Sequence, residues 1–221
     1  MGSILATVWS PNFYVFTLSL DEQTGVHDVP LQIIHYPHST LRHKSVPVRK
    51  VDAELRGMIA EMVELMYEAK GVGLAANQVN IPLRFFVCNP TASRDDEEFV
   101  FINPVISKPK GNAAGEEGCL SIPGLYEEVR RPDSIHVEAY DLSGNAISMD
   151  LDGFFSRVVQ HETDHLDGVL FIDRLSETAR ADMDGKLYEF ELDFKNRLES
   201  GNSPSEDEVA KHRLELEKRY G

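Results

Sequence analysis

The hydrophobic positions divide the chain into segments with helical spacing and segments with strand spacing. Between residues 52 and 70, apolar residues recur three or four positions apart, which predicts an amphipathic helix that ends near Gly71. A second helical pattern leads from Phe154 into the segment QHETDHLDG, and Gly168 is expected to end that helix. Residues 108–115 are predicted to form a loop. Apolar runs of strand length are predicted at 31–36, 83–88, 99–102, 134–140, 146–151 and 169–172.

Two terminal segments differ from this central region. Residues 1–28 are apolar without a regular period, and we expect an N-terminal extension that is disordered or non-essential. In the last segment, four apolar residues keep helical spacing and are expected to dock on the body of the protein: Leu187, Phe190, Phe194 and Leu198. The chain after Gly201 is expected to be more loosely held, with a short charged helix over 206–220.

The charge balance and the cysteine usage narrow the possible partners and compartments. The 22 Lys and Arg residues face 37 Asp and Glu residues, which gives a net charge of −15. Binding to nucleic acid or to an anionic membrane is therefore not expected. No segment reaches the roughly 20 apolar residues of a membrane span, and no signal or transit peptide is evident. Because the only cysteines are Cys88, in an apolar run that predicts burial, and Cys119, we expect a reducing, cytoplasmic location.

The segment HETDH at residues 161–165 carries a strong chemical signal. Residues four apart lie on the same face of a helix, so His161 and His165 would direct two imidazoles at one point. This spacing is typical of a metal-binding helix in which the intervening glutamate, here Glu162, acts as general base. A catalytic metal site needs a third protein ligand and keeps one position open for water.

The residues alone leave three possibilities for the third ligand. In one class of protease a further histidine follows on the same segment, but this chain has Phe171 there, which cannot ligate. In another class a glutamate on a following helix completes the site, and Glu189 or Glu191 could serve by distance. The third candidate is Cys119, whose thiolate suits zinc or ferrous iron.

Three blocks of sequence together resemble the peptide deformylase family: GVGLAANQ at 71–78, EGCLS at 117–121 and QHETDH at 160–165. Their order and spacing match that family, and the similarity covers roughly residues 30–175. The stretch SIPGLYEEVRRPDSI and the long tail look most like the plant-organelle type and its bacterial relatives. The resemblance implies an α+β fold of antiparallel sheets packed around a central HExxH helix, with an N-terminal helix and a helical C-terminal tail.

The activity that this resemblance implies is metal-dependent hydrolysis of the N-terminal formyl group from formyl-methionine of newly made polypeptides, with release of formate. Cys119, His161 and His165 would bind the metal. The family resemblance favours Fe²⁺, for which Zn²⁺, Ni²⁺ or Co²⁺ could substitute. Glu162 would act first as general base and then as general acid.

The resemblance also implies how the substrate is held. The backbone N–H of Leu120 and the side chain of Gln78 would stabilise the oxyanion. Val72, Gly73 and Gly118 would pair with the substrate backbone, in the manner of an added strand.

One position departs from the family pattern, and one pair of charges is expected to support the site. Many bacterial relatives carry an arginine where this chain has Tyr126, and that arginine helps to hold the peptide beyond the methionine. How the enzyme binds the substrate residues that follow the methionine is therefore left open. Glu117 and Arg131 are predicted to pair behind the metal ligands.

These inferences divide the chain into an extension at 1–28, a catalytic domain at 29–175 and a helical tail at 176–221. A protein that starts at residue 29 is expected to fold and to remain active. The implied partners are nascent formyl-methionyl polypeptides at the ribosome, without direct contact to nucleic acid or membrane. Two alternatives are a zinc endopeptidase that uses a downstream third ligand, and a structural metal site in a binding module, which would need four protein ligands.

Overall fold

A computed structural model of the chain describes residues 30–221, so the predictions for residues 1–28 lie outside the described residues. Its helices are α1 (Ala53–Glu68), α2 (Gly153–Leu166), α3 (Glu177–Glu199) and α4 (Glu206–Tyr220). Its strands are β1 (Gly73–Ala75), β2 (Phe85–Cys88), β3 (Phe99–Lys110), β4 (Ala113–Cys119), β5 (Ile122–Arg131), β6 (Ser134–Tyr140) and β7 (Ala146–Asp152). Within 30–221, every helix is too short or too polar to cross a bilayer. The α+β prediction is confirmed.

The strands of the described region form two antiparallel sheets. Five strands hydrogen-bond in the order β1-β2-β3-β6-β7, which places β1 at an edge. Strands β4 and β5 form a separate ribbon and pair only with each other. The ribbon is therefore held to the rest of the fold by its short connections to β3 and β6 and by contacts outside a shared sheet.

The larger sheet is packed between α1 and α2. Phe85 and Val87 point into the core that contains the apolar face of α1, whereas Phe86 and Cys88 point into the core that contains α2. This division follows from the alternation of side chains along a strand. Because β2 is buried on both faces, its sequence is an unbroken apolar run. Cys88 is fully buried, as expected, and burial raises the pKa of its thiol well above the usual range.

The helix predicted between residues 52 and 70 is confirmed as α1. Asp52 caps its first turn, because the carboxylate accepts a hydrogen bond from the backbone N–H of Leu55. One face of α1 is buried: Leu55, Met58, Ile59, Met62, Val63 and Met66. The chain then leaves the helix through Lys70, which adopts a positive φ of 58°, and enters β1.

Three local predictions are wrong. Residues 31–36 are not part of a sheet, although Ile34 N–H donates to the carbonyl of Gln78 and Tyr36 N–H to that of Ser121. The segment 169–172 forms a 3-10 turn at Phe171–Asp173 and not a strand. The predicted loop at 108–115 is mostly strand, because β3 continues to Lys110 and β4 begins at Ala113. For residues 31–36 and 108–115 the hydrogen-bond partners lie elsewhere in the chain, whereas the turn at Phe171–Asp173 is closed by local bonds, from Asp173 N–H to the carbonyl of Leu170 and from Leu170 N–H to the carboxylate of Asp173.

The helical tail is confirmed, but its attachment differs from the expectation. In α3, Leu187 is buried, and the half-buried Phe194 lies with its ring centroid 6.1 Å from that of His38. Leu198, at the end of the predicted face, is 38% exposed and does not dock. The chain after Gly201 is not loosely packed: α4 buries Val209, Leu216 and Tyr220. The last two join the core formed by α1. Because these apolar residues are few among many charged ones, their pattern in the sequence did not predict that one face of α4 would be buried.

Candidate active site

The three predicted metal ligands converge at one point. His161 and His165 lie on the same face of α2, and their Nε2 atoms are 3.2 Å apart. Cys119 lies at the end of β4, where the ribbon turns, and its sulfur is 3.3 Å from His165 Nε2. All three donor atoms lie within 4.8 Å of one another, and they form the one such group found in residues 30–221.

These separations fit a tetrahedral metal ion. Zinc–sulfur and zinc–nitrogen bonds of about 2.3 and 2.0–2.1 Å would place neighbouring ligand atoms roughly 3.3–3.6 Å apart. The alternative third ligands lie elsewhere. Glu191 accepts a hydrogen bond from the Tyr36 hydroxyl at the surface, Glu189 is exposed, and Phe171 packs its ring near that of His161. Of the three candidates, Cys119 is the one whose donor atom lies beside both imidazoles.

Glu117 orients one of the two imidazoles. His161 Nδ1 donates to Glu117 Oε2 over 2.9 Å, which leaves Nε2 directed at the metal position. The predicted ion pair is confirmed: Arg131 donates from Nε and Nη2 to the two oxygens of Glu117, over 2.6 and 2.9 Å. Burial alone would raise the pKa of Glu117, but the hydrogen bonds from His161 and Arg131 outweigh it and hold the pKa well below its usual range.

The two histidines of the cluster have opposite pKa shifts. Burial, and then the neighbouring His161, lower the pKa of His165 well below its usual range, so His165 is neutral as a ligand must be. Burial also opposes charge on His161, but hydrogen bonds to Cys119 and Glu117 raise its pKa to about 10. Without a metal, His161 is therefore protonated at neutral pH, and a metal ion bound at its Nε2 would replace that proton.

Glu162, which lies next to His161 on α2, directs its side chain against β1. Its side chain is packed over Gly73, and the residue is only 4% exposed. Within the described part of the chain, its Oε2 atom has no hydrogen-bond partner. Burial raises the pKa of Glu162 to about 7, which suits a group that must both accept and release a proton.

Gln78 lies next to the sulfur of Cys119. Its carbonyl oxygen accepts from the backbone N–H of Ala75, which fixes the orientation of the amide. The amide nitrogen then points toward Cys119 Sγ at 3.4 Å and Ser121 Oγ at 3.2 Å. Leu120 follows Cys119 directly and lines the same space. Gln78 and Leu120 thus both border the space in front of Cys119.

A cavity of about 530 Å³ opens in front of this cluster. Eight of the nine predicted site residues line it, and His165 lies behind them, only 1% exposed. Tyr126, which is 62% exposed, lies at the rim and packs its ring over Gly118. The cavity is of a size that takes a small peptide segment.

Several residues of the site were missed by the sequence analysis. Ile33, His35, Phe154 and Val158 line the cavity, and Arg157 reaches it from α2. Helical spacing could have indicated Arg157, because it precedes His161 by one turn on the same face. The segment containing Ile33 and His35 gave no such signal, since its position depends on backbone contacts to distant residues.

An HExxH helix with a third ligand from a neighbouring ribbon and a carboxylate beside the ligands defines the class of metal-dependent hydrolases. A family model described as polypeptide deformylase matches residues 30–181. The chain belongs to the polypeptide deformylase family.

Individual relatives and solved structures agree. The chain is 52% identical over 193 residues to a peptide deformylase of Rhodopirellula baltica, covering 87% of this chain and 96% of the relative. The plant peptide deformylase PDF1B has a similar structure, with a TM-score of 0.74 and 36% identity, covering 81% of this chain and 97% of the plant chain. A peptide deformylase from Plasmodium falciparum gives a TM-score of 0.72 and 39% identity, covering 75% and 98% of the two chains.

Family membership confirms the activity expected from the sequence. The chain is a metal-dependent enzyme that removes the N-terminal formyl group from newly made polypeptides. The endopeptidase alternative has no support, either from the comparisons or from the position of its downstream ligand candidates.

Proposed function

We propose that Cys119, His161 and His165 hold the metal of this deformylase and that Glu162 is its general base. The observation that carries the proposal is the convergence of one sulfur and two Nε2 atoms at ligand spacing, with an unpartnered carboxylate oxygen beside them. These three residues would hold a divalent ion, which would supply an acidified water and a Lewis acid that polarises a carbonyl.

The substrate backbone is bound by the edges of the cavity. Strand β1 lies at the edge of its sheet and pairs with β2 on one side only. Val72 and Gly73 line the cavity on this side, and Gly118 lines it on the ribbon side. A peptide extended between them would pair with their backbone as an added strand, which gives affinity that is independent of side-chain identity.

Glu162 and Gln78 then act on the formamide. Glu162 accepts a proton as the oxygen of water bonds to the formyl carbon, and later delivers it to the nitrogen as the carbon–nitrogen bond breaks. Formate and a free amino terminus are the products. The Gln78 amide and the Leu120 N–H donate to the oxygen that becomes negative, and one such donor is typically worth about 2.7–4 kcal/mol.

For the native metal we propose Fe²⁺. One thiolate and two imidazoles bind ferrous iron, zinc, nickel or cobalt, and their geometry alone does not choose among them. The resemblance to the family supports iron. We further propose that the enzyme acts on nascent chains at the ribosome, without direct contact to nucleic acid. A cytoplasmic location is supported by the low cysteine content.

Residues 29–175 are proposed as the catalytic domain, and 176–221 as a tail of two helices. In support, each of the site residues lies within the first segment. The helix α3 begins at Glu177, directly after this boundary, and the side chain of Ser176 caps it. The tail is integrated with the domain, since Tyr220 packs in the core of α1.

The proposal is tested by formate release from a formyl-Met peptide. Glu162→Ala should keep its metal and lose kcat by about 10²–10⁴-fold, the usual weight of a general base. Glu64→Ala, which changes an exposed glutamate paired with Arg94, is the control and should match the unsubstituted enzyme. Near-normal kcat in metal-loaded Glu162→Ala would contradict the assigned role. Cleavage of an acetylated peptide at internal bonds, detected by mass spectrometry, would instead favour a peptidase.

A further inference from the structure

The ligands of the proposed metal site come from two parts of the fold that share no backbone pairing. His161 and His165 belong to α2, whereas Cys119 belongs to the β4–β5 ribbon. The ribbon strands hydrogen-bond only with each other. Besides the short connections of the ribbon to β3 and β6, the distance between the sulfur and the imidazoles depends on side chains that cross between α2 and the ribbon. One of them is Arg131 of β5, whose Nη1 donates to Asp164 Oδ2 of α2 over 2.7 Å.

Arg157 of α2 makes such a crossing to both strands of the ribbon. Its Nη2 donates to the carbonyl of Ala113 on β4 over 2.8 Å, and its Nη1 to the carbonyl of Val129 on β5 over 3.0 Å. Nη1 also donates to Glu117 Oε1 over 2.6 Å. The side chain is 12% exposed, so these bonds are largely shielded from water. One guanidinium thus holds two backbone carbonyls and the carboxylate that orients His161.

The ribbon is shaped to receive this guanidinium. Gly115 lies opposite Val129 in the ribbon, and a Cβ atom on Gly115 would be 2.9 Å from Arg157 Cζ and 3.0 Å from Nε and Nη2. Such contacts are too short to persist, so any side chain here would displace the guanidinium. Gly115 has a negative or extended φ, and its backbone does not require glycine. Close approach of Arg157 therefore accounts for glycine at this position.

We propose that Arg157 is a positioning residue that fixes the β4–β5 ribbon against α2 and thereby sets the distance from the Cys119 sulfur to the two imidazoles. The proposal rests on the metal-ligand roles proposed above. Arg157 is not itself a ligand. Arginine is suited to this task because its planar fork of five N–H groups can serve three acceptors at once. A lysine would keep the charge opposite Glu117 but could not span the three acceptors in this arrangement.

The test measures metal binding directly, on the full-length protein. Arg157→Met removes the hydrogen bonds and keeps an unbranched side chain. Gly115→Ala does not change Arg157 itself, but the added methyl group displaces its guanidinium from the ribbon. Arg84→Met is the matched control, since Arg84 also bridges a carboxylate, of Asp167, and a carbonyl, of Pro104, at 18% exposure. The Kd for Co²⁺ and the sulfur-to-cobalt charge-transfer absorption are the readouts, with the Tm of the metal-free proteins as the measure of folding.

Arg157→Met should raise the Kd for Co²⁺ about 10–100-fold, the usual range for residues that support metal ligands, and weaken the charge-transfer band. Gly115→Ala should shift both in the same direction. Arg157→Lys should lie between Arg157→Met and the unsubstituted protein. Arg84→Met should bind Co²⁺ as the unsubstituted protein does, even where its Tm falls.

Three results would overturn the proposal. The first is an unchanged Kd and spectrum in Arg157→Met. The second is an equal loss in Arg84→Met, which would show that metal binding follows general stability. If Arg157→Met fails to fold, Gly115→Ala decides, and an unchanged Kd in that variant is the third. Cys119→Ala, measured in parallel, separates failure of the Arg157 proposal from failure of the ligand assignment. Tight metal binding without Cys119 would reject the ligand assignment itself, whatever the Arg157 variants do.

Discussion

Gly73 lies directly against the carboxylate of Glu162: a Cβ atom on Gly73 would be 2.4 Å from Glu162 Oε1. Because Gly73 belongs to the edge strand β1, the missing side chain lets the proposed base reach the edge where the substrate backbone would pair. One glycine therefore serves two needs, space for the base and access for the substrate.

Gly73→Ala should displace Glu162 and lower kcat by about 10²-fold, since a misplacement near 1 Å can cost that much. Metal content should be unchanged. Gly57→Ala is the control: Gly57 lies in α1 with open space around it, so alanine should leave kcat unchanged and stabilise the helix by about 0.5–1 kcal/mol. A Gly73→Ala enzyme with full kcat would show that the carboxylate is free to move without loss.

The choice of metal should be visible in the sensitivity to oxygen. Ionised thiolates are the ones that oxidise, and the open position that admits water also admits dioxygen. We expect the iron form to lose activity in air and the nickel form to keep it far longer. Formate-release assays and metal analysis on protein purified with and without oxygen measure this. An anaerobic iron form no more active than a zinc form, or an iron form untouched by air, would reject iron.

The last helix should contribute strongly to stability. Tyr220 is 1% exposed, and its ring packs in the core of α1. Tyr220→Ala should reduce the free energy of unfolding by about 3 kcal/mol or more, as for other large aromatic residues in a core. Tyr188→Ala, on α3 with Tyr188 63% exposed, should change it by no more than about 0.5 kcal/mol. Urea unfolding measures both, and equal values would mean that α4 is only loosely attached.

His38 should make the fold sensitive to acid. Burial lowers the pKa of His38 to about 4; the nearby Glu206 opposes this shift, and Arg213 and Arg197 add to it. The folded-state pKa thus lies below the unfolded value near 6.5, so between these values the unfolded chain binds a proton that the folded chain does not. Stability linked to His38 is therefore present above pH 6.5 and is lost as the pH falls toward 4.

In the unsubstituted protein, the N–H of Thr40 donates a hydrogen bond to His38 Nδ1. His38→Asn removes the titrating group and keeps a side-chain acceptor for this N–H. Between pH 7 and pH 5, the unsubstituted protein should lose about 2 kcal/mol more unfolding free energy than the variant. Effects of the metal site cancel in this comparison, because both proteins contain it. Parallel pH profiles would show that His38 becomes protonated in the folded protein without cost.

The helices of the site could be predicted because their signals are local. The spacing of His161 and His165 and the apolar face of α1 each repeat within a few residues, and helical geometry converts that repeat directly into a shared face. The spacing of residues alone left the third metal ligand undecided, and Cys119 was assigned to that role through the resemblance to the deformylase family. Its contact with His165 spans 46 residues of sequence, a distance over which no periodic pattern operates.

What the sequence by itself determined was therefore the type of chemistry, the helices and most strands, and the family. Only the tertiary structure decided that Tyr220 returns to Asp52, 168 residues away, and that Arg157 holds the carbonyls of Ala113 and Val129. The physical reason is that backbone carbonyls are the same at every residue, so the sequence does not mark which of them a side chain will meet. In the same way, the burial of the few apolar residues of α4 depends on which surface of the protein lies opposite them after folding.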